Sequence, residues 1–324
     1  MKNLIALGLA AGLLATLHAG VQAQPASPQQ PLRWIVPYAA GGATDTMART
    51  LADVMQTGLG QPVVVDNRPG AATNIGVQAL LQARADGYTV MNAENATLFF
   101  NEHMFAKLPY SPEKDFTYIG AIGRLPVVLT VGADFPARTL TEFIAQVRAK
   151  PDQITYASPG IGTSHHMATE LLKQKADIKL THVAYKGGAL AVQDVIAGRV
   201  QAMMVDLTVA QQFIKSGKLR PLAVSSTQRI AALPDVPTFV ETGLKDMVVY
   251  TAQGLIGPAG MPPATVERLN AELNKAVRSP RLTTLLADTG FEPTPGTPAE
   301  FRATSRAESA RWGKLIKDTG VRLD

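Results

Sequence analysis

Apolar residues recur along this chain in two alternating rhythms, short strand-like runs and helical stripes. Leu32 to Pro37 is a run of strand length. Met47, Leu51, Val54 and Met55 then share one helical face, which Gly58 or Gly60 closes. Pro62-Val63-Val64-Val65 reads as a buried strand, the stretch through Ile75, Ala79 and Leu80 as a helix, and Tyr88 to Met91 as a strand. A second set starts with the strand Pro126 to Val131. Thr139 and Glu142 form a capping-box pair ahead of a helix with Leu140, Phe143, Ile144 and Val147 inward. Ile154 to Ala157, Leu180 to Ala184, Val200 to Val205 and Leu219 to Val224 read as strands. One helix between them carries Met167, Ala168, Leu171 and Leu172, and another is closed by Gly198. Val248 to Ile256 is a further strand, and the rigid connector Gly257-Pro258-Ala259-Gly260-Met261-Pro262-Pro263 follows it. Three helical patterns then begin near Ala264, Arg281 and Pro298, the last opened by the capping box Thr297-Pro298-Ala299-Glu300.

Strands alternating with helices predict an α/β fold with mostly parallel sheets covered on both faces. The terminal helices have no strands between them, so they should pack back on the first half. That gives one discontinuous domain, 24–122 with 252–324, and a second domain, 123–251. No internal repeat strong enough to argue from is visible in the sequence.

The amino terminus changes the picture. A short basic start, Met1-Lys2-Asn3, precedes the apolar run Leu4 to Leu17, and Val21-Gln22-Ala23 fits a small-x-small cleavage pattern. This predicts a signal peptide over residues 1–23, cut after about Ala23, and an exported, periplasmic chain. Removing those 23 residues from 324 leaves 301, enough for two domains of about 150 residues each. The chain has no cysteine, which excludes disulfides, thiolate metal sites, thiol nucleophiles and a lipid-anchored start. The net charge of +5 is scattered, with few aromatics and no basic block, which argues against a nucleic-acid surface.

Two segments carry the candidate chemistry. In Val36-Pro37-Tyr38-Ala39-Ala40-Gly41-Gly42-Ala43-Thr44-Asp45 and in Tyr156-Ala157-Ser158-Pro159-Gly160-Ile161-Gly162-Thr163-Ser164-His165, a strand enters a glycine-bearing turn and a helix leaves it. Such a turn aims backbone N–H groups and a helix dipole at one point, an anion site that needs no charged side chain. Two of them predict two domains gripping one small anion.

The order of these and other motifs resembles one family. Pro37-Tyr38-x-x-Gly41-Gly42-x-x-Asp45, Val63-Val64-Val65-Asp66-Asn67-Arg68-Pro69-Gly70-Ala71, Asn74-Ile75-Gly76 and Asp86-Gly87-Tyr88-Thr89 carry the first half. Tyr156-Ala157-Ser158-x-Gly160-x-Gly162, His182-Val183-x-Tyr185-Lys186-Gly187-Gly188, Pro234-Asp235-Val236-Pro237-Thr238 and the Pro258 to Pro262 connector carry the second. Across nearly the whole mature chain the sequence is similar to the substrate-binding proteins of tripartite tricarboxylate transporters, the Bug or TctC type. The resemblance implies a two-lobed periplasmic-binding-protein type II fold, with the ligand in a cleft between two Rossmann-like α/β domains. It implies a small carboxylate ligand, such as a di- or tricarboxylate, an acidic amino acid or an aromatic acid. The two glycine turns and ordered waters would hold that carboxylate. It also implies a membrane permease as partner; a sensor protein is the alternative partner, and a monomer is expected. With no G-x-S-x-G elbow, P-loop, H-E-x-x-H or calcium loop in the sequence, no catalysis, cofactor or metal is expected. The rival reading is a periplasmic hydrolase or lyase working in the same cleft.

The candidate ligand residues are Tyr38, Ala40, Gly41, Gly42, Thr44 and Asp45 of the first turn, with Asn74, Asn92 and Glu94 from the loops that follow it. Ser158, Gly162, Thr163, Ser164 and His165 of the second turn, with Tyr185 and Asp206, complete the set. Several have plainer alternatives. Asp45 could simply cap its helix, and Asp206 the helix from Leu207. Arg68 either pairs a carboxylate or ties down Asp66. Adjacent histidines on a helix point about 100° apart, so His165 and His166 are a poor metal pair, and His166 reads as a packing or surface residue. Glu94 departs from the small neutral residues that the resemblance implies for the loop Asn92-Ala93-Glu94-Asn95. It either points to solvent or meets a cationic or hydroxylated part of the ligand.

Overall fold

The computed structural model describes residues 30–323; the leader and cleavage site expected near Ala23 lie outside the described residues. Strands β1 (Leu32–Val36), β2 (Val63–Asn67) and β3 (Thr89–Glu94) alternate with helices α1 (Ala43–Leu59) and α2 (Asn74–Leu81). The short helices α3 (Asn101–Met104) and α4 (Pro112–Asp115) lead into the 17-residue strand β4 (Phe116–Gly132). Next come α5 (Leu140–Ala149), β5 (Thr155–Ser158), α6 (Ser164–Ala176), β6 (Thr181–Ala184) and α7 (Gly188–Ile196). They are followed by β7 (Ala202–Asp206), α8 (Leu207–Lys215), β8 (Leu219–Val224) and β9 (Tyr250–Pro258). The chain closes with α9 (Pro263–Val277), α10 (Pro280–Leu286), the two-residue β10 (Glu292–Pro293) and α11 (Pro298–Thr319).

Two sheets share β4. Its first part, Phe116 to Pro126, runs antiparallel to β9 in the order β2-β1-β3-β9-β4. Its last part, Val127 to Gly132, runs antiparallel to β7 and β8 in the order β6-β5-β7-β4-β8. The partner change falls between Pro126 and Val127, while the expected domain junctions at 122/123 and 251/252 lie inside β4 and β9. Each sheet is thus the same design: a central strand (β1 or β5) with a parallel neighbour on both sides, then a crossing antiparallel strand. The repeat that the sequence hides is present in the topology.

The carboxy-terminal helices pack on the first lobe, although the short strand β10, paired with Gly123 and Arg124 of β4, interrupts them where the sequence pattern shows no strand. Leu269, Leu273 and Val277 of α9 share a core with Trp34 of β1 and Met47, Leu51 and Met55 of α1. Trp312 of α11 meets Phe100 edge-on with ring centres 5.1 Å apart. The sequence pattern misses the first ten residues of β4 because Gly120, Gly123 and Arg124 interrupt its apolar run. Those glycines mark close approaches. A Cβ on Gly123 would sit 2.2 Å from the Phe291 ring, and one on Gly254 of β9 would sit 2.1 Å from the Phe301 ring of α11.

Gly254→Ala therefore forces α11 off the crossing strand. We expect a loss of about 1–3 kcal/mol, the usual range for overpacking, seen as a lower urea midpoint at unchanged slope.

Candidate functional site

Strand order reverses direction at β1 and again at β5, because each is followed by a neighbour on one side and then a neighbour on the other. Open α/β sheets leave a crevice beyond the carboxyl end of such a strand. Both glycine turns lie there. In the first, Gly41 adopts φ 82 and its N–H donates to Asp45 Oδ2 at 2.8 Å. Gly42 is the N-cap of α1 and offers no side-chain cap, so the first N–H groups of this 17-residue helix are left for another acceptor. Gly41 and Gly42 are exposed, and only Ala39 O, at 3.6 Å, would touch a Cβ on Gly42.

The second turn is built largely from its own side chains. Gly160 N–H donates to Ser158 Oγ at 3.2 Å, and that oxygen lies 2.7 Å from His182 Nε2. Thr163 donates to Gly160 O at 2.8 Å and accepts the His166 N–H as the N-cap of α6. Gly162 N–H donates to His166 Nδ1 at 3.2 Å. His166 stacks on His182 with ring centres 4.1 Å apart, and His182 on Tyr156 at 4.8 Å. His166 is thus an anchor for the turn, and its role as acceptor requires a neutral ring. Burial holds it that way, pushing its pKa down to about 3.

Two carboxylates stand at equivalent strand ends. Glu94 is the last residue of β3 and Asp206 the last of β7, the equivalent strands of the two sheets. Thr44, second residue of α1, donates to Glu94; His165, second residue of α6, places Nε2 2.8 Å from Asp206 Oδ2. Each lobe therefore joins a helix-start side chain to a strand-end carboxylate. Tyr38 also hydrogen-bonds Glu94, and Thr251 Oγ1 lies 3.5 Å from Asp206 Oδ1. Burial raises Glu94 to about 7, against the pull of the Thr44 and Tyr38 hydrogen bonds, and the negative charge of Asp206 adds to the rise. Burial alone would lower His165; the Asp206 carboxylate more than offsets this, and its pKa stands above the ordinary value. His165 Nδ1 is buried without a protein partner.

The structure brings Tyr38, Thr44, Glu94, His165 and Asp206 together, with Gly162 and Ser164 in the adjoining turn. Other candidates serve the scaffold. Asp45 is 3% exposed and accepts from Gly41, Arg49 and Asn67, which is a clamp on the first turn. Arg68 binds Asp66 at 3.0 Å. Tyr185 donates to Asp194 at 2.7 Å. Asn74 opens α2 and lies 3.4 Å from Asn101 Nδ2, after three left-handed residues, Ala71, Ala72 and Thr73. That strain is held by Asn101 donating to Ala72 O and by the Thr73–Thr97 hydroxyl pair. Ala40 is an exposed lip of the first turn.

Three readings need correction. Asn92 to Glu94 is strand, not loop, because β9 pairs with it through Glu94↔Gln253; Asn92 is fully buried and donates to Gln253. Asp206 holds the N-cap position of α8 but makes no cap bond, since His165 takes its carboxylate. Glu94 does not point freely to solvent, being part-buried on Thr44. Sequence reasoning missed Thr251 and Gln253, whose signal was two polar side chains within an otherwise apolar strand. It also missed Met104 and Leu323, which crowd Gly162 and carry no sequence signal.

The family model for the tripartite tricarboxylate transporter family receptor matches residues 47–321. The chain belongs to this receptor family. A protein of the tcbD–tcbE intergenic region of Pseudomonas sp. strain P51 is 38% identical over 304 residues, 94% of this receptor and 90% of that protein. The structure of R. palustris Rpa4515 with adipate superposes with a TM-score of 0.84 at 31% identity, covering 90% of this receptor and 98% of that chain. MatC from Rhodopseudomonas palustris with bound malate gives 0.81 at 30% identity, covering 90% of this receptor and 100% of that chain. The fold of the receptor is accordingly the two-lobed, type II-like fold of periplasmic binding proteins.

The His166 anchor has a pH signature. Its folded pKa lies below the unfolded value of about 6.5. The stability it confers is complete above pH 6.5 and is lost as pH falls toward 3, by up to about 1.4 kcal/mol per unit. Urea unfolding at pH 7 and pH 5 should show this loss, and His166→Phe should flatten the difference while weakening the Gly162 turn.

Proposed function

We propose that this protein is an extracytoplasmic receptor that captures a small organic carboxylate between its lobes and presents it to the membrane permease of a tripartite transporter. The observation that carries this reading is the uncapped start of α1 at the switch point of one lobe, matched by a glycine turn at the same point of the other. The N–H groups of Ala43 and Thr44, with those of Ser164 and His165, supply donors to the ligand carboxylate. Charge-assisted bonds of this kind contribute about 1.5–3 kcal/mol each. The crossing strands β4 and β9 form the hinge, and ligand selects the closed state. The chain acts as a monomer in the periplasm, where the predicted leader would send it.

A second reading, a hydrolase or lyase, draws on the His165–Asp206 pair, which has the form of an oriented general base. It predicts turnover; a receptor returns its ligand unchanged, and NMR of the recovered ligand separates the two.

The main test is thermal unfolding against mono-, di- and tricarboxylates, aromatic acids and amino acids. A carboxylate present at about 100 times its Kd should stabilise the protein by about 2.7 kcal/mol. Gly42→Val, which the free space at that position accommodates, should lower affinity at least tenfold without lowering the unliganded Tm. Stabilisation by neutral sugars or metal ions alone would overturn the reading.

A further inference from the structure

Glu94 and Asp206 occupy equivalent strand ends of the two lobes, and each is held by the second residue of the helix that leaves its own lobe's glycine turn, Thr44 of α1 or His165 of α6. Strand β9 joins them: Glu94 pairs in register with Gln253, and Thr251, two residues earlier on the same strand, places Oγ1 3.5 Å from Asp206 Oδ1. Among the described residues no lysine or arginine contacts either carboxylate. The nearby arginines are engaged elsewhere: Arg49 on Asp45, Arg68 on Asp66 and Arg124 on Glu292. A ligand with a second carboxylate at this end would meet two acids and a single histidine. A ligand with an ammonium group would meet acceptors on both sides. Each carboxylate has about four lone-pair sites, and the donors Thr44, Tyr38, His165 and Thr251 leave part of them open.

We propose that the ligand is an aminocarboxylate whose carboxylate lies on the helix starts and whose ammonium group is held between Glu94 and Asp206. This rests on the receptor reading above and narrows it to a substrate class. Glu94 and Asp206 are then specificity residues: they reject diacids by leaving the second carboxylate without a countercharge, and they accept amines through N–H···O bonds from both lobes, which also closes the cleft. The titratable groups that face Glu94 are Tyr38, His165 and Asp206, and Thr44 adds a neutral hydroxyl.

The test uses matched probes: glutarate, glutamate and 4-aminobutanoate, and the shorter set succinate, aspartate and β-alanine. Calorimetry should rank an amine-bearing member at least tenfold above the diacid of the same length. Glu94→Gln should lower aminocarboxylate affinity at least tenfold and raise diacid affinity, reversing the order. Wild-type protein gives an independent readout. Near pH 7, where Glu94 is part-protonated, an ammonium should drive a proton off and a second carboxylate should draw one in. Titration in phosphate and in Tris, which differ in ionisation heat, reads that sign directly. Diacids binding as tightly as their amine counterparts, or proton uptake with the tightest probe, would overturn the proposal and leave the receptor reading standing. Failure of every carboxylate, amine-bearing or not, would remove both.

Discussion

One strand belongs to both lobes. β4 donates and accepts backbone hydrogen bonds in the first sheet up to Pro126 and in the second from Val127, without a break in the chain. β9 returns beside its first part, so the lobes are tied by adjacent strands rather than by loops. Ser225 reinforces the joint: Val127 N–H donates to its hydroxyl, and that hydroxyl donates to Val249 O. Unpaired backbone in such a buried joint would cost more than the bonds gain, so bending must concentrate where partners change. The placement of every functional group follows, because each lobe hangs its glycine turn and its strand-end carboxylate from a sheet fixed to this pair.

The division into elements was legible because the periodicities are strong. Gly60 closes α1 in a left-handed conformation, and Thr297 with Glu300 forms the capping box that opens α11. What could not be read was pairing. β4 looks like a strand only from Pro126 onward, since its earlier glycines are there to admit Phe291 and Asn270 rather than to show an apolar stripe. Beyond the two glycine turns the two-lobe repeat is silent in sequence: Thr44 and His165, or Glu94 and Asp206, share positions and not residue types. Equivalence of that kind exists only once strands are in register.

The candidate site divides along the same line. The turns were visible as glycine patterns, but which hydroxyls face inward was not. Ser158 and Thr163 look like ligand donors in sequence and spend their hydrogen bonds on Gly160 and its neighbours. Asp45 looks like a cap and clamps Gly41. Rigid turns need such internal partners, because a turn that must present bare N–H groups cannot also be held by the ligand it awaits. Selectivity is left to the few side chains that the scaffold does not consume.

The end of the described chain adds a last point. Leu323 donates its N–H to Met104 O, and its side chain lies where a Cβ on Gly162 would come within 3.2 Å. The tail of one lobe therefore rests against the Gly162 turn of the other, and any separation of the lobes has to peel it away. A fluorophore tethered there would read the angle between the lobes. A bulky group joined directly at the same point would wedge them apart.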